Sequence, residues 1–469
     1  MGTRLKALQR PPGTTKVFQR PIGPIHSAVV TTRLARRAIA ALGLGCGVAG
    51  LWLAMQSLRP EYVYRKDFIQ EYVLARAIRA GINPYLPPSE LAAVFRIDLT
   101  APTFPHPTPH PPGLALVSWP MAWLPYPRAA ALWMGIELSC LVAGVALLAR
   151  WYNPKVNWRT ILLVSLAATG SEVVWRDLLL GQSGTLLFAL LAVSWAWLRS
   201  GRDGLGGAAL GVAIALKLTA WPMMVVLIVA RRWAGVVAAG ATIAIAQVAA
   251  VAVMGLSTVA GYYLHVAPLV ATLYRASFLN LSPASLGWRL FDGTGSAAAI
   301  SYLAPPVAAL PSLAPIASYA VALAILVFAV WQMFRIAEFD ARFALMVATS
   351  LLVSPIVWDH YLLVAAIPGL IIAANLRTLG YPRRSTALAI AGAVLVALRG
   401  VWLALVPGWF ARPGSGREEV VPAAISLLAL MPTVAVLTGL VLCAATSREA
   451  AKRMASSMVN SQQSTVDSA

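Results

Sequence analysis

The sequence predicts an all-α membrane protein that crosses the bilayer about twelve times. Its 469 residues are 59% hydrophobic and only 12% charged, and the mean hydropathy is +0.73. No water-soluble fold could bury this much apolar surface, whereas a bilayer accepts it as exterior. The apolar residues also occur in runs, and basic residues cluster in the short links between them. That pattern is typical of a polytopic membrane protein.

The predicted spans are about twelve apolar runs. In chain order they cover residues 38–58, 129–149, 160–176, 184–198, 205–217, 219–230, 234–255, 315–334, 343–357, 361–375, 385–406 and 421–443. Several are shorter than the roughly 20 residues that a straight span needs. Polar residues interrupt those in 160–230 and 343–375, which predicts helices that stop inside the protein or at a water-filled cavity.

The basic links predict the orientation. If the N-terminus is cytoplasmic, every inner link contains arginine or lysine, from Arg150 to Arg448. The positive-inside rule then places both termini in the cytoplasm. A basic tail over 1–37 and a polar tail over 444–469 flank a multi-span region over 38–443. No small-residue cleavage site follows the first run, so we expect an uncleaved anchor in the inner (plasma) membrane.

The alternation leaves three predicted outer loops, at about 59–128, 255–313 and 407–420. The first is long. Its apolar piece from Gly113 to Leu124 is about a dozen residues long and interrupted by proline, so it reads better as a re-entrant or surface-lying helix than as a span.

Two features of the composition exclude other classes. The net charge of +20 is spread over short links without a continuous basic face, so nucleic acid is not an expected partner. Cys46, Cys140 and Cys443 lie in separate apolar segments without CxxC spacing. They indicate neither a disulfide framework nor a metal cluster. No cofactor is predicted, although a divalent cation remains open.

An acidic residue, Asp67, stands near the start of the first outer loop. It opens a run over 68–80 whose apolar positions recur at helical spacing and which ends at Gly81. With Gln70 three positions on, its carboxylate would make a serviceable helix N-cap. The alternative is catalytic, because an enzyme that acts on a lipid-borne substrate would keep its base just outside the membrane. Spacing alone leaves both interpretations open.

The same loop continues into a turn signal, Asn83-Pro84-Tyr85, and a proline-rich stretch. His106 and His110 lie in that stretch, which cannot be helical and must present its backbone to water or to a ligand. Two histidines four apart in such a stretch lack the shared helical face of a zinc site, so no metal site is expected.

Ionisable residues also interrupt the apolar runs. Arg176 and Asp177, followed by Gln182, lie at the outer end of one run, and Lys217 stands in an otherwise apolar stretch. A lysine there is costly unless it faces a cavity, pairs with an anion or snorkels to the surface.

The late segment 354–361 similarly breaks an apolar region with Trp358, Asp359, His360 and a tyrosine. Such residues are functional candidates, and a ligand-free helix boundary is the alternative.

The order of these pieces resembles the GT-C class of integral-membrane glycosyltransferases, and specifically glycosyltransferase family 87, which includes actinobacterial polyprenyl-phosphomannose-dependent mannosyltransferases. The resemblance runs from about residue 60 to 375. It rests on Asp67 with the continuation GINPY, on HPPGLAL, on GQSGTLLFALLAV, on RSGRDGLGG leading into ALGVAIALK, and on SPIVWDHY.

The resemblance implies an inverting sugar transfer at the outer face of the membrane. The donor would be a polyprenyl-phosphate sugar, with mannose as the first expectation, giving alpha-mannosides. The acceptor would be a glycolipid or glycan of the cell envelope. The family's catalytic acid maps onto Asp67, and its late histidine maps onto His360, which would orient the acceptor or the donor phosphate.

A donor whose lipid tail stays in the bilayer needs a cavity open to lipid, cations for its phosphate, aromatic side chains for its sugar and one carboxylate as base. A single Asp suits inversion, because double displacement needs a second nucleophile. The candidate donor and substrate contacts are Lys217, Gln182, Arg176, Arg275, Arg289, Asn83, Tyr85, His110, Trp358 and Asp359. An arabinofuranosyltransferase of the same architecture and a flippase or transporter of a polyprenyl-linked sugar are the alternatives. The long proline-rich loop argues against transport, since an alternating-access path does not need it.

Overall fold

The computed structural model describes residues 23–97, 106–277, 279–293, 305–398 and 427–467. All regular structure in these ranges is helical, as predicted. The predicted outer loop at 407–420 lies outside them.

The α-helices of the described ranges, in chain order, are α1 (Gly23–Gln56), α2 (Ile69–Ala80), α3 (Pro88–Val94), α4 (Pro112–Ser118), α5 (Tyr126–Tyr152), α6 (Trp158–Ala168), α7 (Glu172–Leu180), α8 (Gly184–Arg199), α9 (Asp203–Leu216), α10 (Met223–Val229), α11 (Trp233–Met254), α12 (Leu256–Gly261), α13 (Ala267–Tyr274), α14 (Leu286–Phe291), α15 (Leu313–Arg335), α16 (Phe339–Val353), α17 (Ala366–Thr378), α18 (Arg383–Ala397) and α19 (Met431–Asp467). Short 3-10 helices cover Val63–Arg65, Trp119–Trp123, Leu218–Ala220, Pro283–Ser285 and Asp359–Ala365, and a π-helical turn covers Tyr262–Val266.

The polytopic membrane class is confirmed. Among the described residues, seven helices are long and apolar enough to cross a bilayer: Arg37–Gln56, Tyr126–Tyr152, Trp233–Met254, Leu256–Tyr274, Leu313–Arg335, Asp359–Thr378 and Met431–Ser457. Helices α7 and α8 are bent by 117° at a short break and add an eighth if they form one broken span. Three shorter apolar helices, Trp158–Ala168, Asp203–Leu216 and Leu218–Val229, accompany them. The count of twelve therefore stays a prediction.

Two segments differ from the expected boundaries. The predicted outer loop over 255–313 begins with Leu256–Tyr274, a helix long and apolar enough to cross a bilayer. Its mean hydropathy of 1.3 is low because polar side chains dilute it, which hid the span in the sequence. In addition, α1 and α19 run without a break through the predicted tail boundaries at 37 and 444.

The apolar piece 113–124 forms two short helices, α4 and the 3-10 helix Trp119–Trp123, as expected for a non-crossing segment. Both pack against α2. Tyr72 of α2 donates a hydrogen bond to the Leu124 carbonyl at 2.8 Å. The start of α2 is held against α5, since the Phe68 ring stacks on Trp133 with 4.9 Å between centroids.

The expectation that helices stop inside the protein is confirmed at three points. Helix α7 ends at Gly181, whose φ is +72°. Helix α9 ends at the extended residue Lys217, and α16 ends at the extended residue Ser354. Lys217 and Ser354 are buried, and both line one cavity. Backbone that leaves the helix at such points needs polar partners, and a cavity supplies them.

Candidate functional site

A cavity of about 590 Å³ gathers most of the ionisable residues singled out in the sequence. Its polar lining consists of Asp67, Gln70, His106, His110, Arg176, Gln182, Lys217, Thr219, Ser354, Asp359 and His360. Its aromatic lining consists of Trp221, Tyr262, Tyr274, Trp358 and Tyr361. The cavity therefore has the mixed character of a site for an amphiphilic, charged ligand.

Asp67 lies immediately before α2 and does not cap it with its side chain. The N-cap residue is Phe68, and Asp67 contributes only its backbone carbonyl, which accepts from Gln70 N at 2.9 Å. The carboxylate instead accepts a hydrogen bond from Gln182 Nε2 at 2.9 Å. The capping interpretation is thus wrong.

The surroundings of Asp67 suit a proton acceptor. Burial raises the pKa of its carboxyl to about 6; the hydrogen bond from Gln182 opposes this shift, and the carboxylate of Glu71 adds to it. A carboxylate with a pKa near 6 is largely ionised at neutral pH, yet it binds a proton more strongly than an ordinary Asp does.

The turn at 181–183 joins α7 to α8. Asp177, which is fully buried, accepts from Gly184 N at 3.1 Å and Thr185 N at 2.9 Å, so it caps the start of α8. A Cβ added at Gly184 would lie 2.4 Å from the Asp177 carboxylate, so the close approach requires glycine. The Asp177 carboxylate is therefore occupied by the backbone.

Lys217 does not snorkel. Its side chain is buried, with 4% of the residue exposed, and Nζ lies 3.6 Å from the centroid of the Tyr361 ring. Ser183 Oγ is 3.5 Å from Nζ. A buried cation on the wall of a cavity is costly unless it meets an anion there. The charge of the buried Asp177 offsets that of Lys217 within the protein, and on the cavity side the ammonium can meet a ligand phosphate.

The segment 354–361 contributes an acid, an imidazole and an aromatic ring. Asp359 accepts from Arg176 Nε at 3.0 Å and from the His360 backbone N–H at 3.0 Å. His360 is buried, and within the described residues its Nε2 has no hydrogen-bond partner. The Trp358 ring meets Tyr274 edge to face at 5.3 Å. His360 therefore has a ring nitrogen left for a substrate, whereas Asp359 is tied to Arg176.

Asn280 holds this segment in place, although nothing in the sequence singled it out. It donates to the Pro355 carbonyl at 2.8 Å and accepts from Val357 N at 2.9 Å. Asn280 is fully buried. Both halves of its amide are used, so it fixes the exposed backbone of the cavity wall.

His110, the first residue of the HPPGLAL motif, lines the cavity. Two other predicted ligand contacts, Asn83 and Tyr85, lie behind it. His110 Nδ1 contacts the Glu71 carboxylate. Tyr85 donates to the His110 carbonyl at 3.2 Å, and Asn83 accepts from Tyr85 N at 3.0 Å. Tyr85 and Asn83 do not line the cavity, so they support His110 rather than contact a ligand.

His106, the other histidine of the proline-rich stretch, forms a hydrogen bond between Nε2 and the Tyr274 hydroxyl at 2.7 Å. It therefore orients a cavity tyrosine. In the described ranges, no group of three or more His, Cys, Asp or Glu side chains is arranged to hold a metal ion.

The predicted phosphate roles of Arg275 and Arg289 are not supported by their positions. Arg275 pairs with Asp292 at 3.2 Å and lies over the Trp288 ring. Arg289 is buried and donates to the carbonyls of Ser277 and Asn280. Neither lines the cavity, because their charges are used to fold the 275–293 region.

Taken by its chemistry, the cavity offers one carboxylate outside ion pairs, one buried ammonium, a free imidazole nitrogen and several aromatic rings. This set can accept a proton from a hydroxyl, hold a phosphate and stack on a sugar.

Comparison with known proteins gives two results. The family model described as glycosyltransferase family 87 matches residues 109–355, more than half of the chain. The chain is also 26% identical over 144 residues to the alpha-(1->3)-arabinofuranosyltransferase of Mycobacterium tuberculosis (strain CDC 1551 / Oshkosh), and to the protein of the same description from strain ATCC 25618 / H37Rv. These alignments cover 30% of this chain and 33% of each relative, so the match spans about a third of the relatives' length. No solved structure matches.

Proposed function

This chain belongs to glycosyltransferase family 87, and from that premise we propose that it transfers a sugar, with inversion, from a polyprenyl-phosphate donor to a hydroxyl of a glycolipid or glycan acceptor. The observation that carries the proposal is that one carboxylate, Asp67, and one buried cation, Lys217, line the same cavity. A lipid-phosphate sugar requires both groups, a base for the incoming hydroxyl and a cation for the departing phosphate.

The proposed step is a single displacement. Asp67 accepts the proton of the acceptor hydroxyl as its oxygen attacks the anomeric carbon. The bond from that carbon to the phosphate oxygen breaks, and polyprenyl phosphate leaves with the electron pair. Lys217 stabilises the negative charge that develops on the phosphate, and His360 Nε2 orients the phosphate or the acceptor.

Inversion follows from the roles of the other acids. A retaining reaction needs a second carboxylate to form a covalent intermediate. Asp177 accepts from two backbone N–H groups, and Asp359 pairs with Arg176. Both are therefore poor nucleophiles in this arrangement, which leaves Asp67 as the base of a one-step transfer.

The sugar has two candidates. The resemblance of the motifs favours mannose, whereas the name of the curated relatives favours arabinofuranose. Aromatic walls at Trp358 and Tyr274 accept either ring by stacking. We place the reaction at the outer face of the inner membrane, with both termini in the cytoplasm, on the basis of the basic inner links.

The test is transfer by purified protein in proteoliposomes. Synthetic polyprenyl-phosphate-mannose and polyprenyl-phosphate-arabinofuranose are each offered with a short mannoside or arabinoside acceptor, and products are read by mass spectrometry and by the anomeric NMR signals. Nucleotide sugars serve as the control donors, and EDTA tests for a divalent ion. We expect transfer from one lipid donor, inverted product and no loss in EDTA.

A fluorescent polyprenyl-phosphate sugar in the same vesicles tests transport. Transfer without scrambling supports the proposal. Scrambling without transfer would show that the protein is a flippase and not a transferase. Transfer from nucleotide sugars alone would overturn the proposal of a polyprenyl-phosphate donor.

A further inference from the structure

The lysine beside the proposed base is fully engaged. Lys66 is buried, with 2% of the residue exposed, and its ammonium donates three hydrogen bonds. Nζ reaches Ser57 Oγ at 2.8 Å, the Leu178 carbonyl at 2.8 Å and the Leu179 carbonyl at 2.6 Å. A lysine ammonium has three protons, so every donor of Lys66 is used inside the protein and none is left for a ligand.

Two of these acceptors belong to the end of α7. The last carbonyls of a helix have no partner within the helix, and a cation placed there is favourable. Lys66 satisfies Leu178 and Leu179, and the next carbonyl, of Leu180, accepts from Phe68 N at 3.1 Å. The carbonyl of Gly181 accepts from an indole N–H of α5 at 3.0 Å. Successive carbonyls at the end of α7 are thus fixed by the segment around Asp67 and by α5.

The turn that follows α7 carries Gln182, whose amide donates to Asp67 at 2.9 Å. Lys66 and Gln182 therefore act on the same short segment from opposite sides. The Lys66 side chain binds the carbonyls at the end of α7. The Gln182 side chain, in the turn after α7, donates to the Asp67 carboxylate.

We propose that Lys66 is a positioning residue for the transfer reaction, which holds the end of α7 so that Gln182 stays hydrogen-bonded to Asp67. This inference rests on the proposed role of Asp67 as base. Lys66 does not touch the substrate in this account. It acts through Gln182, whose bond stabilises the ionised carboxylate.

The titratable and charged groups that face Asp67 are Lys66, Glu71, His110, Tyr126, Arg176, Tyr274 and Asp359. A change at Lys66 leaves the others in place, so a shift in the titration of Asp67 reports either the lost charge or the lost Gln182 contact. Gly181→Ala separates these two causes. Its Cβ would lie 2.8 Å from Phe68 Cβ and 3.2 Å from Lys66 Cε, at a φ of +72°, so it displaces the turn without removing any charge.

The test compares Lys66→Met and Gly181→Ala with Trp195→Phe. The control removes a buried indole hydrogen bond eleven residues along α8 from Gly184, about 16 Å along the helix. Transfer is measured from pH 5 to pH 8.5, and amide hydrogen exchange is followed by mass spectrometry over 178–184.

We expect both site variants to move the acid limb of kcat/KM upward by about one pH unit, a roughly tenfold change in ionisation. Their deficit is then about tenfold larger at pH 5.5 than at pH 8. Exchange over 178–184 should rise in both and stay unchanged in the control.

A deficit that is equal at every pH, with unchanged exchange over 178–184, would overturn the proposal and leave the proposed function standing. If Lys66→Met does not fold, an unshifted limb in Gly181→Ala would overturn it equally. If the wild-type protein transferred sugar from neither lipid donor, the proposed function itself would be refuted. In that case faster exchange over 178–184 in Lys66→Met would still support the tie to α7, and unchanged exchange would refute it.

Discussion

Replacement of Lys217 by methionine tests how the donor phosphate is recognised. Methionine keeps the apolar stem of the side chain, but removes the charge and with it the contact of the ammonium with the Tyr361 ring. The change leaves the two hydrogen bonds from the start of α8 to Asp177 in place, but it removes a cation that offsets the charge of this buried carboxylate, so folding of the variant is checked by its melting temperature. A loss of donor affinity can then be read separately from a loss of structure.

The expected size follows from the burial of the ammonium. A hydrogen bond to a charged group contributes about 1.5–3 kcal/mol, and each 1.4 kcal/mol is about a factor of ten. With only 4% of Lys217 exposed, water cannot replace the lost contact, so the upper part of that range applies. The apparent donor KM should rise by about 40- to 140-fold. Lys217→Arg keeps the charge and should cost less.

The assay is the initial rate of transfer against the concentration of polyprenyl-phosphate sugar, at saturating acceptor. Arg275→Met is the matched control, since it removes one cation that pairs with Asp292 outside the cavity. We expect its donor KM to remain within about twofold of wild type, because Arg275 does not line the cavity. Wild-type kinetics for Lys217→Met would refute the phosphate role of the lysine.

Three further results are expected. Because the pKa of Asp67 is raised to about 6 and a base acts only when ionised, kcat/KM should be constant from about pH 7 to 8 and fall about tenfold per unit below pH 6; a profile flat down to pH 4.5 would exclude this carboxylate. Asp340→Ala removes the acceptor of two tryptophan indoles and one guanidinium. It should lower the free energy of unfolding by about 2–5 kcal/mol and leave turnover per folded molecule unchanged. An unaltered melting temperature would contradict this expectation. In a variant without its three natural cysteines, a cysteine at the exposed position Ser89 should react with an impermeant thiol reagent in intact cells and one at Ser200 should not; the reverse pattern would invert the topology.

The class and the broken helices could be predicted because they follow from composition. A water-soluble chain of this length could not bury all the apolar surface of 59% hydrophobic residues, however its helices were arranged. Lys217 and His360 were identified for a related reason. An ionisable residue within an apolar run must reach a cavity, and this requirement is visible without knowing the neighbours.

The fate of an individual side chain depends on partners far along the chain. The Asp67 carboxylate accepts a hydrogen bond from Gln182, 115 residues away, and does not cap α2. Arg289 looks like a free cation in the sequence, yet its guanidinium is used by the backbone carbonyls of Ser277 and Asn280. Lys66 drew no interpretation at all, because the acceptors that make it informative lie more than a hundred residues downstream.

Turnover by Asp67→Asn tests the central claim most directly. Asparagine is nearly isosteric and can still accept the hydrogen bond from Gln182, but it cannot take up the proton of the acceptor hydroxyl. Purified protein is mixed with a saturating lipid-linked sugar and acceptor at pH 7.5, and a single turnover is followed by mass spectrometry, with folding checked by the melting temperature. The account predicts a near-normal melting temperature and a rate lower by roughly 10²–10⁴, the usual contribution of a positioned base. A rate within a few-fold of wild type would contradict it.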